Sequence, residues 1–213
     1  MSHAGHRYGT VEELQDDYNI LVKPNKDLDD VNEQTKADTI EKTREMADIA
    51  HKNGAVNLGR KIGCTGRGDD YEKVMGWKST QGFYSAFTDK NRIREVLKEY
   101  KKLDYSISVV AGGLIEEIFD ICKEIGLKPH TILYSLGVWG KTELLPDREH
   151  LKITTRCGHH MISPEMVDHY VERIKDGSIT PEEAGKKLAA PCVCGIFNVP
   201  KTVAEIKKMA DKK

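Results

Sequence analysis

Apolar residues recur at two spacings along this chain, every second position in some stretches and every third or fourth in others, and the two alternate through its middle. Gly82 to Thr88 is an aromatic-rich strand pattern. Asp89 follows as a natural N-cap, and Ile93, Val96, Leu97, Tyr100 and Leu103 then share one helical face. Tyr105 to Ala111 reads as the next strand, and Gly112-Gly113 opens a helix with Leu114, Ile115, Ile118, Cys122 and Ile125 on its apolar side, closed by Gly126. His130 to Val138 and, after Pro146, Leu151 to Arg156 complete the strand patterns. Strands joined through helices cannot be neighbours through a tight turn, so the expected fold class is α/β: a mostly parallel βαβαβ sheet with right-handed crossovers, with Leu151 to Arg156 open to antiparallel pairing.

The flanks read as helical. Thr10-Val11-Glu12-Glu13 has the form of a capping box, Pro24 to Asp30 is a charged connector, and Ile40, Met46, Ala47, Ile49 and Ala50 line one face before Gly54. Residues 1–60 are therefore expected to form an N-terminal helical arm that packs on the main domain or on a second copy, a route to a homo-oligomer. Toward the C-terminus, Ser163-Pro164 and Thr180-Pro181-Glu182-Glu183 start helices, and Val203, Ile206 and Met209 mark a last amphipathic segment. The organisation expected is an arm (1–60), an α/β core (61–156) and a helical C-terminal part (157–213) that closes a site against the core.

Composition narrows the function classes. The formal charge over 213 residues is −1 and no basic stripe is interleaved with aromatics, so nucleic acid is not an expected partner. The apolar runs are too short for a bilayer span and the start has no apolar signal core, so the expectation is a cytoplasmic protein without a membrane partner. In a reducing compartment, clustered cysteines point to metal or thiol chemistry sooner than to disulfides.

Five cysteines are present. Cys122 is in phase with Ile115, Ile118 and Ile125 and reads as a core thiol. Cys64, Cys157, Cys192 and Cys194 instead sit in glycine-marked loops: Gly63-Cys64-Thr65-Gly66-Arg67-Gly68, Arg156-Cys157-Gly158-His159-His160 and Pro191-Cys192-Val193-Cys194-Gly195. These four are the expected ligands. An iron-sulfur cluster is the first expectation, because four thiolates from separate segments suit it and glycine lets amides approach sulfur. Zinc is the alternative, with His159 or His160 able to join Cys157, Cys192 and Cys194, although neither standard zinc nor ferredoxin spacing is met. His159 or His160 would serve as proton donor, and Arg67 as a clamp for an anionic small-molecule substrate. His130, His169, His3 and His6 read as structural or terminal. The function expected is redox or cluster-assisted chemistry on a small acidic molecule; the alternatives are a zinc-stabilised interaction module and a thiol oxidoreductase or metal-delivery protein using Cys192 and Cys194.

Overall fold

A computed structural model describes residues 7–24, 31–60, 63–78 and 82–212. His3, His6 and the connector over 25–30 lie outside the described residues. The chain runs α1 (Val11–Leu14), β1 (Tyr18–Lys23), α2 (Glu33–Lys52), β2 (Asn57–Arg60), β3 (Gly63–Cys64), α3 (Tyr71–Met75), β4 (Phe83–Phe87), α4 (Lys90–Leu103), β5 (Ser108–Gly112), α5 (Ile115–Glu124), α6 (Arg148–Thr154), α7 (Pro164–Lys175), α8 (Pro181–Ala189) and α9 (Val199–Asp211).

The sheet is antiparallel throughout, in the order β3-β2-β4-β1-β5, which overturns the parallel βαβαβ expectation. The physical reason lies in the N-terminal third. β1 inserts between β4 and β5 and pairs antiparallel with both, and β4 inserts in the same way between β1 and β2. Each helix crossover therefore joins strands that run the same way but are not neighbours. Two such split βαβ units interleave. Residues 7–60 supply the central strand β1, the helix α2 and the strand β2, so they are core rather than the helical arm expected. Two further expectations are corrected: 130–138 has no regular structure, and Leu151 to Arg156 falls mostly within α6, whose first turn Asp147 caps by accepting from the amides of Glu149 (2.9 Å) and His150 (3.0 Å).

Directly paired residues in an antiparallel sheet share a face, so the register sorts the side chains. Tyr18, Ile20, Val22, Leu58, Phe83 and Phe87 point to one face and pack with Met46, Ala47 and Ala50 of α2, Ile93, Val96, Leu97 and Tyr100 of α4, and Ile118 and Ile121 of α5. The other face carries Asn19, Leu21, Asn57, Gly59, Cys64, Tyr84 and Ala86. A second core lies there. Ile153, Val167, Val171, Ala184, Leu188 and Ile206 from the C-terminal helices form it with Phe197 of the segment between α8 and α9, and Tyr84 of β4 packs against it.

Buried polar groups tie the halves together. Asn198 caps α9 by accepting from the Lys201 amide (3.2 Å), and its Nδ2 donates to the carbonyl of Asp16 (3.0 Å), to Asp17 Oδ1 (3.1 Å) and to the carbonyl of Phe87 (3.4 Å). Asp17, almost fully buried, lies 3.2 Å from Arg7 Nε and 3.4 Å from Arg156 Nε. Arg7 also donates to the carbonyls of Thr155, Arg156 and Ile196. Replacing Asn198 by alanine removes a helix cap and leaves buried acceptors beside Asp17 unpaired, so Asn198→Ala should cost about 2–4 kcal/mol in denaturant unfolding. Asn198→Asp should not restore it, because a second carboxylate would face Asp17. A loss under about 0.5 kcal/mol, the range of an ordinary surface change, would show that the tie carries little.

α6 and α7 are joined at His150, whose Nδ1 and Nε2 lie 2.9 Å from Asp147 and 2.8 Å from Asp168. Burial disfavours the charged ring, but the two carboxylates outweigh it and raise its pKa. A raised pKa in the folded state gives stability that is complete below about pH 6.5, the unfolded value, and is lost as pH rises through the folded value. Both carboxylates are exposed, so the contribution is at most about 1 kcal/mol. His150→Gln should therefore cost more at about pH 6 than at about pH 9. Equal losses at the two pH values would contradict the charged pair.

Candidate thiol centre between the sheet and the C-terminal helices

β3 ends the sheet, and its Cys64 shares with Gly59 and Tyr84 the face that meets the C-terminal helices. The segment 191–198, between α8 and α9, lies directly on that face. Asn57 Nδ2 donates to the carbonyl of Phe197 (2.9 Å), Asn57 Oδ1 accepts from the Gly66 amide (2.8 Å), and the Cys64 thiol donates to the carbonyl of Cys192 (3.3 Å). Gly195 is left-handed at φ +87°, and a Cβ there would run into the backbone of Gly59 and reach within 2.9 Å of the Leu58 carbonyl carbon. Only glycine permits both that conformation and that approach. Gly59 is likewise required, since its own Cβ would lie 2.9 Å from the Cys64 sulfur.

The structure brings four of the five cysteines together here. Cys192 and Cys194 have sulfurs 3.7 Å apart, Cys157 and Cys192 are hydrogen-bonded through their thiols, and Cys64 and Cys194 are close enough to perturb each other's charge. All four are buried, at 1% exposure for Cys64, 0% for Cys157, 1% for Cys192 and 6% for Cys194. Cys122 is elsewhere, in the core on the opposite side of the sheet.

Two of the sulfurs have the same local cradle. The chain turns just after Cys157 and just after Cys194, each followed by glycine, so that the amide two residues on, from His159 or Ile196, donates to the sulfur; the Met161 amide also reaches Cys157. The Gly195 amide donates to Cys64. Amides aimed at sulfur stabilise thiolate over thiol. Hydrogen bonding to the Cys192 side chain is the largest cause holding Cys157 and Cys194 below the ordinary thiol range, and the same bonds, with burial, push Cys192 far above it. Burial pushes Cys64 up to about 12, with Arg67 pulling the other way.

The polar residues expected at the site are distributed as follows. His159 is exposed and close enough to Cys157 and Cys194 to favour their thiolates, whereas His160 is exposed on the far end of the turn in which its amide donates to the Cys157 carbonyl (3.0 Å). Arg67 is ion-paired with Asp69, which also accepts from the Cys64 amide (2.9 Å). Its guanidinium is thus engaged in fixing the Cys64 loop. Tyr84 escaped the sequence reading; it lies beside Cys194, and burial first, then that sulfur, lifts its phenol to about 12. Among the described residues no group of three or more His, Cys, Asp or Glu side chains is placed so that it could hold a metal ion. The sulfurs are held in the hydrogen-bond geometry of thiols. No protein-family model matches the chain, and neither the curated proteins nor the solved structures contain a match.

Gly195→Ala tests the seating of the loop. It should cost about 2 kcal/mol or more and speed labelling of the buried thiols in the native protein at least about tenfold, because the loop must lift from β2. Gly177→Ala is the control, since Gly177 is also left-handed at φ +76° but a Cβ there meets nothing within 4 Å. It should cost about 1 kcal/mol and leave labelling unchanged. Equal labelling in both variants would mean that close packing on Gly59 does not seal the sulfurs.

Proposed function

We propose that the chain is a metal-binding protein in which Cys64, Cys157, Cys192 and Cys194 hold one thiophilic cation, zinc first, in a closed tetrathiolate site that fastens the C-terminal helices to the sheet. The observation that carries this reading is the convergence of four thiols from three separate segments, with the Cys192 and Cys194 sulfurs 3.7 Å apart. Four sulfurs about 2.3 Å from one tetrahedral ion are roughly 3.8 Å from each other. In a 4Fe–4S cluster each thiolate belongs to a different iron and the sulfurs stand farther apart, so this pair favours a single ion over such a cluster.

Electrostatics supports a cation. Hydrogen bonds favour anionic sulfur at Cys157 and Cys194, yet the two charges oppose each other in a buried site, which leaves the arrangement short of positive charge. A divalent ion supplies it. Ligation would require loss of the protons on both Cys192 and Cys64, and movement of the Cys64 thiol from the Cys192 carbonyl toward the other sulfurs. With all four sulfurs buried and used as ligands, no coordination position faces a substrate, which favours a structural centre over the catalytic one expected from the sequence. Arg67, held by Asp69, is a loop brace in this reading.

Metal analysis of protein purified without oxygen tests the proposal. About one zinc per chain, no visible colour, loss of the metal in Cys157→Ser and its retention in Cys122→Ser are expected, with a chelator lowering Tm by mass action. Iron with acid-labile sulfide would replace the single ion by a cluster, and metal-free protein from a metal-replete preparation would overturn both.

A further inference from the structure

Every residue from 128 through 145 is exposed, including Leu133 at 74%, Leu136 at 83% and Trp139 at 81%, together with Ile132, Tyr134 and Val138. From Pro129 to Gly140 there is no charged Asp, Glu, Lys or Arg, and the composition is that of a strand. Such a segment is not stable in water as free chain, and a soluble protein covers it. The same chain carries a second unsatisfied element. β5 closes one end of the sheet, and its sequence, Ser-Val-Val-Ala-Gly, has none of the lysines or prolines by which edge strands are usually protected.

We propose that these two elements satisfy each other between copies: residues 131–138 of one chain add as a strand to the β5 edge of a second copy, which returns its own segment in exchange. Three arguments select a second copy as the occupant. Both surfaces are uncharged, so neither offers the charge pattern that would recognise a highly charged partner. The six apolar side chains from Ile132 to Trp139 expose on the order of 800 Å², the area that each partner buries in a standard interface. Reciprocal exchange about a two-fold axis consumes both the free edge and the free segment of each chain, so the assembly closes at two copies instead of growing into fibres. The interface uses residues far in sequence from the N-terminal region expected to mediate self-association, and none of the four thiols.

Light scattering across a concentration series, with the metal-replete full chain, tests this. Wild type should have twice the chain mass. Val110→Lys charges the free edge at an exposed position, and Leu133→Glu combined with Leu136→Glu charges the segment; neither replaces a buried residue, and each variant should be monomeric, keep its helical far-UV signal and unfold cooperatively. Mixing the two should restore a dimer, weaker by at least about tenfold, because one intact segment still meets one intact edge. A monomeric wild type at all concentrations would overturn the proposal, as would a dimer indifferent to both variants. Amide protection over 131–138 in a monomer would overturn it too, by showing that the segment pairs with its own β5.

Discussion

The approach of one backbone to another at Gly195 and Gly59 is the constraint on which the arrangement of this protein depends. The molecule has two hydrophobic cores, one on each side of the sheet, and hydrophobic packing alone would leave their mutual register loose because it is non-directional. The seam between them is instead built from small and polar groups. Asn57, Asn198, Arg7 and Asp17 each hold a partner from the other half at hydrogen-bond or ion-pair distance, and the two glycines let the loop settle deep enough for those bonds to form. Buried polar groups of this kind penalise every other register, since a shifted seam would strand them without partners.

The same constraint explains why the thiols converge. Cys64 reaches the seam from the sheet edge, Cys192 and Cys194 from the loop that lies on it, and Cys157 from the turn after α6 that packs beside it. Van der Waals packing would be served as well by alanine or valine at these positions. Sulfur differs in that its anion can be stabilised by amides and then demands a cation, and here amides from His159, Met161, Ile196 and Gly195 are already directed at three of the four sulfurs.

How much of this was legible from sequence follows from the range of each interaction. Caps are local, so Thr10, Asp89, Ser163 and Thr180 were read correctly as helix starts. The cysteine-glycine turns are local too, which is why the four thiols stood apart from Cys122. Strand order is not local. The alternation of Tyr18, Ile20 and Val22 spans six residues in a polar region, and nothing near it reveals that β1 will separate β4 from β5. Without that insertion, strand-helix-strand reads as a parallel sheet. Tyr84 and Asn57 had no signal for the same reason: their place in the seam comes from cross-strand register and from contacts more than a hundred positions away. The alternating apolar pattern of 130–138 reports a need for burial, and it cannot report which surface meets that need.

That exposed segment also sets what the seam must overcome. Apart from short N-terminal contacts such as Arg7, the two halves are connected covalently by about eighteen exposed residues, and fixing the ends of such a loop costs on the order of 2.5 kcal/mol before strain or side-chain ordering is considered. Net gains of about 1 kcal/mol per buried hydrogen bond cover this, but they do so with little surplus once the desolvation of Asp17, Arg7 and Arg156 is counted. The ion proposed above would change the balance, because its binding energy would be available only when sheet, loop and turn are assembled together. Under that proposal, docking of the C-terminal helices and metal occupancy would be one equilibrium, because the thiols come from both halves.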